Sequence, residues 1–356
     1  MGTCCPTRGN IFNEEKGNEI EYGTYFQSDN NFKINSSENN NKIKVSDGII
    51  KEEENEFEKE SSINEKENNL KEEKKIFKHK SENSLISSNK AVQTTKILDS
   101  EYINIQELYP PLEVNNDSIE LKKNILLEDN ILYYGEYNTD KKEREGRGIQ
   151  IWPNGSKYIG YFKNNKQNIK GKMIHADGAV YEGEWQDGKA NGKGEFTQNG
   201  VKYNGYWKDD RRNGLGIETG SDGTYFEGNY INGKREGKGK FVWPNGESYE
   251  GDFKDDAFNG KGKFIWEKDR IYEGDWNNNK MEGKGIFTWP DGRRYEGQFS
   301  NDKKEGYGEF FWPDGRIYKG MWKNGLQDGE GEIYDPKTKH TRKGLWEGGK
   351  NKKWIN

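Results

Sequence analysis

From residue 133 onward, aromatic and glycine residues alternate with polar ones at a spacing of two, a pattern that predicts β-strands with one face shared by positions i, i+2 and i+4. In the stretch YEGDFKDDAFNGKG, Tyr249, Gly251 and Phe253 fall on one face of a strand, and Gly260, Gly262, Phe264 and Trp266 repeat the spacing on the next. Two strands and two turns make one hairpin. The pattern starts again at Tyr133, Tyr158, Tyr181, Tyr203, Phe226, Tyr249, Tyr272, Tyr295 and Tyr318, with a partial unit at Arg342, and the steps from Tyr272 to Tyr295 and from Tyr295 to Tyr318 are both 23 residues. A fixed period of this length predicts a repeat array.

The turns support that reading. WPNG at Trp152 and Trp243 and WPDG at Trp289 and Trp312 put proline where φ is negative and glycine where φ is positive, which is hairpin-turn chemistry. Glycine inside a strand normally weakens it, so the recurrence at Gly251, Gly260 and Gly262, and at Gly274, Gly283 and Gly285, requires a cause. The expectation is that rings such as Tyr249, Tyr272 and Trp276 lie across glycines of neighbouring strands and form a continuous stripe, the core of a sheet with little other core. An isolated hairpin is marginal in water, so the units must stack. On the other face, Glu182, Glu227, Glu250, Glu273 and Glu296 are expected to pair with Lys193, Lys238, Lys261 and Lys284, which sit between paired glycines. The predicted fold class is an all-β repeat array, an elongated, twisted single-layer antiparallel sheet of hairpins.

Composition divides the chain near residue 130. All eleven Trp lie between Trp152 and Trp354, and only five of the 45 Gly precede Tyr133. Residues 1–99 are rich in Asn, Lys, Glu and Ser without a sustained period and are expected to form a disordered tether. Residues 100–132 are more apolar and are read as a capping segment, with Ile119, Leu121, Ile125, Leu126 and Leu127 covering the first hairpin, because an array needs its terminal edge protected. Residues 133–356 are the array. Its net charge is +4 against −9 for what precedes it, which does not suggest a DNA binder but is compatible with an acidic membrane surface.

The only two cysteines are Cys4 and Cys5, which excludes a disulfide framework and a cysteine zinc site in the folded part. They adjoin Gly2 in MGTCCPT, so once Met1 is removed Gly2 is a candidate myristoylation site and Cys4 and Cys5 are candidate palmitoylation sites. One myristoyl chain holds a membrane only marginally, and a second acyl chain makes residence stable. Pro6 stands where that pattern usually has Ser or Thr. The C-terminal cluster Lys337, Lys339, Arg342, Lys343, Lys350, Lys352 and Lys353 is a candidate contact for lipid or a partner, against the alternative of a solvated cap. His79, His175 and His340 are scattered without metal-ligand spacing, and no Gly-x-Gly pair extends to G-x-G-x-x-G, so no catalytic site, metal or cofactor is expected.

The motif Y-E-G-x-[WF]…N-G-x-G…[WF]-P-[DN]-G resembles the MORN repeat (membrane occupation and recognition nexus) over about residues 133–346. Two units depart from it. Ile169 stands in place of the first glycine before Gly171, and the first unit has two additional residues before Gly146. The resemblance implies an elongated antiparallel sheet that serves as a scaffold or membrane-associated adaptor, often dimeric through its C-terminal repeats, with protein partners and no catalytic domain. The expected function is a non-enzymatic scaffold on the cytoplasmic face of a membrane, plasma membrane or cell cortex. The alternatives are a direct phosphoinositide-binding module and a cytoskeletal or ciliary assembly protein.

Overall fold

The computed structural model describes residues 102, 105–111 and 118–355; Gly2, Cys4, Cys5 and the rest of the proposed tether lie outside the described residues. The described chain falls into two units, one ending at Lys166 and one starting at Gln167.

The first unit is a meander of four strands, β1 (Ile119–Leu126), β2 (Leu132–Asn138), β3 (Glu143–Ile151) and β4 (Lys157–Lys163), each antiparallel to its sequence neighbour. Asn138 pairs with Glu143 across a loop of four residues, 139–142, which accommodates the two additional residues of this repeat. Buried Asn138 holds that loop, its Oδ1 accepting the amides of Asp140 (3.1 Å) and Lys141 (2.9 Å).

Within the predicted capping segment, the side chains that cover this unit's face come from the start of the segment and not from 119–127. Residues 105–108 are helical, and Tyr102, Ile105 and Tyr109 are buried against Tyr134, Ile149 and Tyr161. Two ring contacts (Tyr102 to Tyr134, 5.1 Å; Tyr109 to Tyr161, 5.4 Å, edge-on) fix the segment, and the Tyr161 hydroxyl donates to the Pro110 carbonyl at 2.5 Å. Ile119, Leu121, Ile125 and Leu126 belong to β1, which covers the edge of the first hairpin by pairing with β2, and Leu127 follows it just before the 128–130 turn. A strand sends alternate side chains to opposite faces, and Leu121 and Leu126 stay exposed.

Seventeen strands follow, from Lys166–Ile174 to Lys350–Ile355. Within the second unit every strand pairs antiparallel with the next, so local contacts alone define the topology. The hairpin of Ser248–Lys254 with Ala257–Ile265 shows the repeating logic. Gly251 faces Gly262, and the Tyr249 ring lies across both, occupying the space a Cβ on Gly262 would need. The Tyr249 hydroxyl donates to the Asp252 carbonyl at 2.9 Å, so a fully buried phenol stays hydrogen-bonded. Edge-on contacts with Phe253 (5.2 Å) and Trp276 (5.5 Å) carry the stripe into the next repeat. Tyr272 repeats the arrangement over Gly274 and Gly285, with Trp276 at 5.1 Å.

The first glycine of each pair does something else. Gly260 has φ +87° and sits in a bulge, where 259–261 oppose the single residue Asp252. Gly283 has φ +67° in the same place. Ile169 occupies this position at φ +61°, so the departure noted in the sequence is a β-branched residue held in the left-handed region.

Two-residue turns at the opposite end of the hairpins, such as Asp255-Asp256 and Asn301-Asp302, have positive φ at both positions, the twist-matched type I′ geometry. Their second residue clips one repeat onto the preceding one. Asp302 Oδ1 accepts the Met281 amide (2.7 Å) while its own amide donates to the Met281 carbonyl (3.1 Å), and Asp256 with Arg235 and Asn279 with Phe258 do the same. Burial raises the carboxyl pKa of Asp302 and of Asp210, which clips Ala190.

The charged face differs in one respect from the expected ladder. Because Gly239 faces Gly251 and Gly262 faces Gly274, the lysines between glycines lie opposite aspartates: Lys238 pairs with Asp252 (2.8 Å) and Lys261 with Asp275 (2.6 Å). Glu250 and Glu273 stand opposite Lys263 instead, and Glu182 pairs with Lys172 at 3.1 Å. These pairs are largely solvated, and each contributes well under about 1 kcal/mol.

Candidate functional site

From residue 243 on, four hairpin turns, three of them with proline after the tryptophan and one with Glu267, place a tryptophan at every second strand boundary on the aromatic face. Trp243, Trp266, Trp289 and Trp312 are half-buried and joined by phenylalanines into a ladder. Trp243 lies 5.2 Å from Phe264, which lies 4.4 Å from Trp266; Trp266 lies 5.4 Å from Phe287, which lies 4.4 Å from Trp289; Phe310 then joins Trp289 (5.7 Å) to Trp312 (4.7 Å). The turns that hold them are closed by paired backbone bonds, for example Trp243 N–H to Glu247 O (2.9 Å) and Gly246 N–H to Trp243 O (3.0 Å). The sequence signal is the alternation Phe-x-Trp, followed by proline at three of the four sites, which reads as turn chemistry and not as a surface.

Cations interrupt this face at one register position. Arg212 and Arg235 both pair with Glu218, which replaces the phenylalanine found at Phe241, Phe264 and Phe287. Arg212 also lies over Tyr230 at 5.0 Å and Arg235 over Phe226 at 5.0 Å. At the same position in a later repeat, the Lys304 ammonium is surrounded by Trp322 (4.3 Å), Phe310 (5.1 Å), Tyr295 (5.5 Å) and Trp289 (5.8 Å). Burial, helped by the nearby Arg293 charge, lowers its pKa to about 8. Burial moves phenols of the stripe the other way: Tyr203 rises to about 12 despite Arg212, and Tyr249 rises further. The buried phenols are therefore held neutral.

The charged face carries two exposed apolar groups where the ladder lapses, Tyr206 with Leu215 and Ile217, and Tyr307 opposite Met321. An open cleft of about 440 Å³ lies at the turn end, lined by Lys189, Lys208, Asp209, Arg211, Asn213, Ile231 and Asn232. The C-terminal basic residues do not gather on one surface. Lys337 and Lys339 lie in the turn before His340–Glu347, Arg342 stacks over Trp354 at 5.5 Å on the aromatic side, Lys343 and Lys353 share the opposite side, Lys352 pairs with Glu347 at 3.1 Å, and Lys350 pairs in register with Glu347.

Among the described residues, no group of three or more His, Cys, Asp and Glu is placed to hold a metal, and no helix is long and apolar enough to cross a membrane. His175 is half-buried with its pKa lowered by burial, His340 is exposed, and His79 lies outside the described residues.

Among solved structures, the chain is similar to the SAS-4 (dCPAP) TCP domain of Drosophila melanogaster in complex with a proline-rich motif of Ana2 (dSTIL), at 10% identity over 60% of this chain and 96% of that one, with a TM-score of 0.22. It is also similar to a virginiamycin B lyase from Staphylococcus aureus, at 13% identity over 68% and 87%, with a TM-score of 0.13. Likenesses this low carry no argument about function. A family model described as MORN repeat matches residues 141–157, 158–180, 181–200, 203–225, 226–248, 249–268, 272–293, 295–315 and 318–337. Repeats of this family are generally protein-interaction or membrane-associated modules and generally non-enzymatic. Nine consecutive matches, each falling on the hairpin geometry above, mean that the chain belongs to the MORN-repeat family.

Proposed function

We propose that the protein is a non-enzymatic scaffold, held at the cytoplasmic face of a membrane by acyl chains on Gly2 and on Cys4 or Cys5, which presents its repeat array to protein partners. The observation that carries this reading is the array itself: nine consecutive repeats whose aromatic and charged groups recur at fixed positions, with apolar residues such as Leu215, Tyr307 and Met321 exposed on the charged face. Residues 8–99 then act as the tether between membrane and array. The plasma membrane or cell cortex is the expected location. Gly2→Ala combined with Cys4→Ser and Cys5→Ser tests the anchor. The triple variant is expected to move from the membrane to the soluble fraction, and unchanged fractionation would sink the anchor.

Direct binding to acidic lipid is the second reading, favoured by the cleft between Lys189, Lys208 and Arg211. Electrostatic attachment of this kind weakens as salt screens it. The unacylated full chain would then sediment with phosphoinositide vesicles at low salt and be released at high salt, and absence of salt-sensitive binding disposes of it.

A further inference from the structure

Each step of the tryptophan ladder crosses two strands. With strands about 4.8 Å apart, Trp243, Trp266, Trp289 and Trp312 recur at about 9.6 Å along the direction perpendicular to the strands. The ring-to-ring distances agree, since each Trp reaches the next through one intervening phenylalanine at 4.4–5.7 Å on either side. A left-handed polyproline helix has three residues per turn and a rise of about 3.1 Å, so one side of it recurs at about 9.3 Å. The two periods differ by about 0.3 Å per step. An extended β-strand repeats a face at about 6.7 Å and an α-helical turn at about 5.4 Å, and neither keeps register over four tryptophans.

We infer that the Trp243–Trp312 ladder is a docking surface for a proline-rich segment of a partner protein, bound in the polyproline conformation across the strands with one proline against each tryptophan. Flat aromatic rings suit the pyrrolidine ring, and a preformed polyproline helix loses little entropy on binding. Charge at the two ends completes the fit. The turns after Trp243 and Trp266 carry Glu247, Glu267 and Asp269 against Lys268 and Arg270, and Arg235, at the register position of Lys304, is cancelled by its partner Glu218, which leaves an excess of one negative charge. At the other end the Arg293–Asp291 and Arg316–Asp314 pairs cancel, and the aromatic-boxed Lys304 leaves an excess of one positive charge. The ligand therefore carries a basic residue at its Trp243 end and an acidic residue at its Trp312 end. The occupant comes from another protein, because Pro6, Pro110 and Pro111 are the only prolines before the array and none lies in a segment with proline at every third position. This inference rests on the scaffold reading and names the class of partner.

The test uses the full-length chain and two synthetic peptides of one composition, each with four prolines, a lysine at one end and a glutamate at the other. One has proline at every third residue, the other at every fourth. Calorimetric titration is expected to show binding of the first and at least tenfold weaker binding of the second. Trp266→Ala with Trp289→Ala is expected to weaken the first peptide at least tenfold. Should those substitutions disturb the fold by circular dichroism, the comparison of the two peptides on the unaltered chain still decides. Equal affinity for both spacings, or no heat with either at millimolar peptide, overturns the inference. The readout does not involve acylation, so failure here with a membrane-held protein overturns the proline-segment inference and leaves the scaffold reading standing.

Discussion

Replacing Gly262 by alanine tests the physical basis of the array. A Cβ at that position falls within the van der Waals envelope of the Tyr249 ring, whose hydroxyl and near edge are its closest neighbours. Tyr249 is fully buried, so the ring must shift as a unit. Overpacking of a close-packed site costs about 1–3 kcal/mol. Displacing the hydroxyl from the Asp252 carbonyl, now 2.9 Å away, adds about 1 kcal/mol or more for an unsatisfied buried phenol. The edge-on contacts with Phe253 and Trp276 contribute about 0.5–1.5 kcal/mol each and weaken together. The expected loss is about 3–5 kcal/mol, confined mainly to the repeats around 249–287, because in an array each unit contacts only its neighbours. Tyr249→Phe supplies the control. Phe226 occupies the same position naturally over Gly228 and Gly239 with more room, so losing the hydroxyl should cost about 1 kcal/mol alone yet recover part of the alanine penalty. Chemical denaturation followed by tryptophan fluorescence, with amide exchange to localise the change, measures the double-mutant cycle. An alanine effect below about 0.5 kcal/mol, or strictly additive effects, would falsify the ring-over-glycine account.

Three further outcomes follow from the same geometry. Gly260→Ala should cost about 1–2 kcal/mol for the left-handed conformation at φ +87°, and Gly260→Asn visibly less, read as midpoints of urea unfolding. The raised pKa of Asp302 means that the folded state favours its protonated form, so its stability contribution is full below the unfolded carboxyl pKa and falls as pH rises through the folded one; Asp302→Asn, which copies Asn279, should therefore raise Tm at pH 7 and change it little at pH 3. Tyr109→Ala should expose the Tyr134–Ile149–Tyr161 cluster and cost about 3 kcal/mol, seen as faster amide exchange in β2 and β3.

The period, the hairpins and the proline turns were legible because they repeat: a residue that recurs at the same place in nine units reports a backbone requirement and not an accident. What repetition concealed was that one residue type does two jobs. Gly260 and Gly262 read alike in the sequence, yet the first supplies a positive φ and the second makes room for a ring. Partner choice was also hidden, since Lys238 and Lys261 face aspartates only once the glycine-to-glycine register is known. The clips from Asp256, Asn279 and Asp302 join residues 21 apart, and no local pattern announces them. Within the predicted cap, the covering role of Tyr102, Ile105 and Tyr109 was hidden because a short helical turn before Pro110 gives little periodic signal beside the longer apolar run at 119–127.

The measurement that bears most directly on the proposed scaffold is the intact mass of the native protein recovered from the membrane fraction. The account predicts a chain that lacks Met1 and carries one myristoyl group together with at least one palmitoyl group that hydroxylamine removes. A native protein whose mass equals that of the unmodified chain would contradict it.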